Sequence, residues 1–359
     1  MPEIELHGPP APRFDVRISP ALALAMTLPA AELGGKFPGL DPWLAQLPSR
    51  LGRTIRADVR LLCVPLSGVL SYLFEGRDTE ESMQPLLDAL AATPAEEYHA
   101  RAVARLAAET EDRDEEAVRR WINEEPQRLA ELIAAMPRPS PDHPFAIDVE
   151  RALHLLRHPA ELKAMVELRL RQLWHDHFAP RWREALPHCR ALAEEARRHL
   201  DLEDPAQVLQ AILGRKLREQ RAALLNRRIV FVPIPFLGPY ISVADEPDLG
   251  AVYLGFGLVH GETFSEETAR RDLLAVLKAL ADEARLEALA YIRDRGEARA
   301  ADLMERFGWS QSTTSRHLCA LESTGLLRSE RIDGVKHYTV DAARARAVAR
   351  HLERFFTKE

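Results

Sequence analysis

The tightest constraint on the fold lies between Thr268 and Glu359, where helical stretches are cut by single glycines and followed by an Asp-Gly turn. Asp272 to Leu280 and Ala284 to Arg293 read as helices, the second ended by Gly296. Ala298 to Phe307 reads as a third. Gly308-Trp309-Ser310 leaves three residues before a fourth, Gln311 to Thr324, which Gly325 stops. A helix, a short turn holding glycine and a second helix make a compact corner. Leu326 to Arg331 and Val335 to Val340 then read as strands joined through Asp333-Gly334, a pair that supplies the positive φ of a tight hairpin. Asp341 opens a last helix to Phe356. The expected fold of 268–359 is a winged helix-turn-helix.

The fourth helix carries the chemistry. Thr314, Leu318 and Leu321 stand at i, i+4 and i+7 and form an inward stripe. The opposite face offers Gln311, Ser312, Thr313, Ser315, Arg316 and His317. Short polar side chains let a helix approach base edges, and Gln and Arg make bidentate contacts with adenine and guanine. The positive helix start favours phosphate. On the hairpin, Arg328, Arg331 and Lys336 are placed to meet the DNA backbone. Taken singly, each residue has a plain structural use: serines and threonines near a helix start are caps, and a lone arginine is a solvated charge. The ordered set points to double-stranded DNA. Charge agrees in sign, since from Thr268 onward 17 Lys and Arg face 14 Asp and Glu in a chain of net charge −7. That excess supports the reading without carrying it.

Three stretches carry a family resemblance: Leu280-Ala-Asp-Glu-Ala-Arg-Leu-Glu-Ala-Leu289, Ser310-Gln-Ser-Thr-Thr-Ser-Arg-His-Leu318 and Leu321-Glu-Ser-Thr-Gly-Leu-Leu327. They resemble the ArsR-type winged-helix transcriptional regulators over most of 268–359. The resemblance implies a homodimer on a palindromic operator, commonly a repressor, with the first and last helices of the domain pairing the protomers. The last helix offers Ala345, Val348, Leu352 and Phe355 at seam spacing, which suits that role. The family is best known for metal sensing through a Cys-x-Cys just before an Asp-Leu. Here Arg299-Ala-Ala-Asp-Leu303 puts Arg299 and Ala301 where the thiolates stand, and neither ligates a metal. His351 is the one histidine of the last helix, where the family's other site needs a cluster. Soft-metal sensing through those sites is not expected. Phe14-Asp-Val16, Ser19-Pro-Ala21, Asp41-Pro-Trp43, His158-Pro-Ala-Glu-Leu162 and Trp174-His-Asp-His-Phe178 are similar to the long N-terminal extension of some ArsR-like regulators. That likeness implies no ligand and no activity.

A chain of 359 residues has room for about two domains. Residues 1–226 read as a helical module. Ser19-Pro20 sets a cap before a proline suited to the first helical position. Thr93-Pro-Ala-Glu96 and Asp204-Pro-Ala-Gln207 have capping-box spacing. Leu162, Met165, Val166, Leu168, Leu170, Leu173 and Trp174 keep a helical period in the run from Pro159 to Leu186. The proline-rich segment 137–144 marks a sub-boundary. In 227–260 the period changes. Arg228 to Pro235, Tyr240 to Ala244 and Ala251 to Phe256 are short and rich in β-branched or aromatic residues. They read as a small antiparallel meander of the same module. Pro233 and Pro235 belong on an edge or past a strand end. Gly261 to Thr268 reads as a polar linker into the 268–359 domain. The expected class is mainly α with small β elements.

Little else carries chemistry. Cys63, Cys189 and Cys319 are scattered singly, so neither disulfides nor a zinc cluster is expected, and a reducing cytoplasm fits. Cys319, beside the inward stripe, reads as a buried thiol. The first residues lack signal-peptide character, and no apolar run reaches the roughly 18 residues of a spanning helix, so no membrane is expected. His154 and His158 share a helix face as half of a metal site, but spacing brings no third ligand. His175 and His177 point apart. No metal is assigned. Gly34 to Gly39 lacks P-loop spacing and reads as a loop. With no nucleophile elbow, kinase set or dinucleotide fingerprint, no enzyme and no cofactor is expected. The N-terminal module reads as a sensor of an unknown small-molecule effector, which predicts a closed apolar pocket. The alternative is a protein-interaction or oligomerisation module, which predicts an exposed apolar patch.

Overall fold

The computed structural model describes residues 14–33, 40–136, 145–202, 204–213, 227–238, 240–257, 273–274, 276–322, 324–332 and 335–357. The glycine-rich 34–39, the proline-rich 137–144, the linker from Gly261 to Thr268 and the Asp333-Gly334 turn lie outside the described residues.

β1 (Phe14–Val16) leads into α1 (Pro20–Leu33), where Ser19 Oγ accepts the Leu22 amide. Ala21 to Met26 and Leu28 are all buried, as befits a helix apolar on every side. There follow α2 (Pro42–Arg50), α3 (Arg53–Cys63), a 3-10 run (Ser67–Phe74), α4 (Gln84–Ala92), α5 (Ala95–Ala107), α6 (Glu115–Asn123) and α7 (Pro126–Ala135). Gly68 lets the 3-10 run touch α5, because a Cβ there would sit 2.1 Å from the Arg101 carbonyl oxygen. Only His158 separates α8 (Val149–Arg157) from α9 (Pro159–Gln172); a π turn (Leu173–Phe178) then joins α9 to α10 (Ala179–Arg197), and α11 (Pro205–Leu213) follows. The run from Pro159 is helical as expected, but Leu168 leaves the buried stripe at 49% exposed. The Thr93 capping box does not form. Pro94 takes the cap position, and Thr93 Oγ1 donates back to the Ala89 carbonyl of the preceding helix.

β2 (Arg228–Pro233), β3 (Ile241–Glu246) and β4 (Ala251–Phe256) form strands where expected, yet not as an antiparallel meander. The sheet order is β1-β2-β4-β3; β2 runs parallel to both β1 and β4, and β3 alone is antiparallel to its neighbour. The reason is burial. Ile229 to Val232 and Ala251 to Phe256 are buried at successive positions, so both faces are covered, as parallel strands require. The unbroken apolar runs in the sequence were the legible signal. Pro233 is the last residue of β2, where its missing N–H costs no ladder bond.

One apolar cluster reaches from Val16 to Phe256. Buried ions cross it. Asp58 accepts from Arg151 Nε and from Arg169 Nε, each at 2.7 Å, and so ties α3 to α8 and α9. Glu32 of α1 accepts from Arg56 and Arg60 of α3 at 3.1 and 2.8 Å. No single described helix is long and apolar enough to cross a membrane. α3 and the 3-10 run reach that test only together, bent by 79°, and their apolar residues belong to this core.

Residues 273–280 are helical at the described positions. They precede α12 (Glu283–Arg295), β5 (Ala298–Arg299), α13 (Ala300–Phe307), α14 (Gln311–Glu322), β6 (Leu327–Ile332), β7 (Val335–Val340) and α15 (Ala342–Thr357). Gly296 and Gly308 end α12 and α13 at φ of 79° and 66°. β5 is a strand that sequence periodicity missed, because two residues show no period. It pairs with β7 and gives a three-stranded sheet, β5-β7-β6. Ala288, Ile292, Leu303, Leu318, Leu321 and Tyr338 form the core beneath.

Candidate nucleic-acid interface

α14 starts on Ser310, whose Oγ accepts the Thr313 amide at 3.2 Å and whose carbonyl accepts Thr314 Oγ1 at 3.0 Å. Thr314, Leu318 and Leu321 are buried, as their spacing predicts. Gln311, Ser312, Ser315 and Arg316 are exposed and Thr313 is half-buried, so the start of α14 presents short hydroxyls, an amide and a guanidinium to solvent. His317 is a correction. It is buried, with its ring 4.9 Å from Trp309, which stacks on Phe307 at 4.6 Å. Three residues after Thr314, it shares that residue's inward face, a spacing already visible in the sequence.

The hairpin divides its cations. Arg328 donates from Nε to Asp341 Oδ2 at 2.7 Å, and Asp341 Oδ1 caps α15 through the Arg344 amide. The expected phosphate contact of Arg328 is thus replaced by a brace between the wing and the last helix. Lys336 is partly exposed, 3.7 Å from Glu322 and 5.8 Å from the Tyr338 ring centre. A surface pair of this kind is weak, and phosphate can take the place of Glu322. Arg331 lies opposite Lys336 in the β6–β7 register, beside the turn; its side chain is outside the described residues. Helix-face reading passed over Arg346, Arg350 and Arg354, which follow one another at spacing four and are all exposed on α15.

The expected seam also divides. Val348 packs with Leu273, Val276 and Leu326 in the domain's own core, and Leu352 is half-buried against the same cluster. Phe355 is 55% exposed and Phe356 75%. Val348 is therefore spent within the chain, and the aromatic end of α15 is what faces outward. Cys319 is half-buried, and burial, then Glu322, push its thiol above the ordinary range, which disfavours the reactive thiolate.

At the position of the sensors' thiolates, Arg299 bonds Asp302 through Nη2 and Nε at 2.7 and 3.1 Å, and its amide donates to the same carboxylate at 2.7 Å. The Asp302 carboxylate thereby satisfies the Arg299 amide at the start of α13. The hydrogen bonds from Arg299 hold the Asp302 carboxyl down at about 2. Ala301 offers no donor atom.

Residues 282–329 match the family described as bacterial regulatory protein, arsR family. This segment is an arsR-family helix-turn-helix domain. The arsR-family domain is 40% identical over 68 residues to the arsenical resistance operon repressor of Staphylococcus aureus, a stretch that makes up 19% of this chain and 64% of the repressor. The chain thus spans less than two thirds of that relative. The solved structure of reduced HlyU from Vibrio cholerae is similar at 30% identity over 25% of this chain and 95% of that one, with a TM-score of 0.21.

Away from the arsR-family domain, a recess of about 160 Å³ is lined by Arg17, Phe74, Glu75, Arg228, Val230, Leu249 and Tyr253. Arg17 pairs with Asp78 at 3.2 Å and Arg228 with Asp15 at 2.9 Å. Its charged walls and small volume differ from the closed apolar pocket expected of an effector site.

Proposed function

We propose that the chain is a DNA-binding transcriptional regulator that acts as a homodimer, with two copies of α14 in successive major grooves of a palindromic operator. One observation carries this reading: Gln311, Ser312, Ser315 and Arg316 lie exposed at the start of a helix whose other face is buried, within an arsR-family domain. Such groups read base edges at close range. The repressor among its relatives supports repression by operator occlusion. Phe355 and Phe356 support self-association through α15. The N-terminal body acts as a sensor that biases the DNA-binding geometry through different affinity for two states. A second reading, a protein-interaction module, has the exposed Leu168, Leu202, Val243 and Leu249 in its favour. The regulator works in the cytoplasm, with its single thiols reduced.

In-vitro selection with the purified chain tests the reading. The preferred DNA should be an imperfect inverted repeat with half-site centres about 10 base pairs apart. Arg316→Ala should lose about 1–3 kcal/mol on that site if it reads a guanine. Selection of no common sequence, or normal binding by Arg316→Ala combined with Gln311→Ala, refutes the assignment of α14.

A further inference from the structure

Among the described residues, His154, His158 and Glu161 bring three metal-ligating side chains together, all exposed, with donor atoms within 4.8 Å of one another. Sequence spacing supplied two of them; the fold supplies the third. α8 stops at Arg157, His158 takes φ of −125°, and α9 restarts at Pro159. The break carries Glu161, in the first turn of α9, back beside His154. Glu161 Oε2 lies 2.9 Å from His154 Nε2, and the two imidazole ring centres are 4.3 Å apart.

The geometry around His158 selects its free nitrogen. Its Nδ1 lies 2.7 Å from the His154 carbonyl oxygen. A carbonyl only accepts, so Nδ1 carries a proton and, in the neutral ring that binds metal, Nε2 keeps its lone pair. Metal-bound histidines are oriented in the same way, with the second ring N–H held by a backbone carbonyl. The frame is also fixed in advance. Arg151 of α8 and Arg169 of α9 both bond the buried carboxylate of Asp58, so the two helices are already tied together.

We propose that His154 Nε2, His158 Nε2 and one Glu161 carboxylate oxygen bind a divalent cation of the zinc class at the α8–α9 junction, with water in the fourth position. Two imidazoles and a carboxylate suit zinc and its first-row neighbours, while hard cations prefer all-oxygen sets. Bonds of about 2.0–2.2 Å in a tetrahedron place donors about 3.4 Å apart, so small side-chain rotations close the site. In the metal-free chain the Glu161 carboxylate accepts from His154 Nε2–H; on binding, that proton moves to His154 Nδ1 through solvent, and the hydrogen bond gives way to two metal bonds. The bound cation pins α8 to α9 in the N-terminal body, away from Arg299 and Ala301 of the arsR-family domain.

The test uses the full chain, stripped by a chelator. Zinc is titrated by calorimetry and cobalt by its visible spectrum. One site per chain is expected, with the strong visible bands of four-coordinate cobalt and a rise in melting temperature with zinc. His154→Ala combined with His158→Ala should lower the stoichiometry by one and abolish both signals. Glu161→Gln, which keeps the side-chain shape, should weaken binding at least tenfold. All three residues are exposed, so the metal-free variants should melt as the metal-free parent does. Histidines elsewhere, such as His175 and His177, contribute equally to parent and variant. Unchanged stoichiometry and affinity in the double variant overturn the proposal, and so does a parent whose zinc binding no variant alters.

Discussion

The N-terminal body and the arsR-family domain are held together by different means. In the body, partners lie far apart in sequence. Arg228 pairs with Asp15 across 213 residues, and Asp58 reaches Arg151 and Arg169 across 93 and 111. In the domain, the links span less sequence, up to the 40 residues between Glu297 and His337. Arg299 binds Asp302 three residues on, and Arg328 binds Asp341 thirteen on. The exposed apolar side chains differ too. Leu168, Leu202, Val243 and Leu249 are exposed in the large body, whereas the much smaller domain exposes Leu274, Leu277, Leu286, Val335, Phe355 and Phe356. A unit built from local contacts can fold with part of its apolar surface unmatched, and surface of that kind marks an interface. Relative to its size, the domain leaves more of its apolar surface uncovered than the body does.

The largest expected effect lies in the body. Asp58→Ala strands two guanidinium groups, one of them buried, and breaking a buried pair from one side costs about 3–5 kcal/mol. Denaturant unfolding should show the body's transition move to lower denaturant while the domain's transition stays. If both move together, the two regions do not behave as separate units. Next comes Phe355→Asp, which sets an unpaired charge in the expected apolar contact. Sedimentation should show dimers weakened at least tenfold, with helix content unchanged because this side chain supports no core. Val348→Asp, by contrast, should unfold the domain. A Phe355→Asp protein that stays dimeric would move the self-association to the body.

A smaller effect separates the wing from α14. Lys336→Ala should lower the slope of log affinity against log salt by about 1 and leave the selected sequence unchanged. A new preferred sequence would mean that the wing reads bases. The smallest concerns Asp302, whose carboxyl is held at about 2 against an ordinary 3.8. A folded value below the unfolded one stabilises above 3.8, and that contribution disappears as pH falls toward 2. The domain's melting temperature should therefore drop over this window, and Arg299→Ala should flatten the drop. Superimposable profiles would show that the capping pair contributes nothing.

Legibility followed the range of the interaction. The α14 stripe of Thr314, Leu318 and Leu321 is a spacing rule within one helix, and it holds. His317 obeys the same rule, and its spacing outweighs its polar ring. Residue type directs Arg328 outward and seam spacing directs Val348 outward, yet Asp341 and Leu326 claim them from other elements. The direction of β2 against β4 was written in their unbroken apolar runs, because strands covered on both faces need no polar alternation. Glu161 stands in the sequence three residues after His158, but only the helix break turns it toward His154.

The sequence by itself determined the helices, their glycine stops, the hairpin and the polar start of α14, because capping, turn conformation and side-chain period act over a few residues. Only the folded chain brings Phe14 beside Ile229, joins three helices at Asp58 and turns Arg328 to Asp341. Those depend on which distant group the packed fold brings within reach of a given donor or acceptor, and no local rule records that.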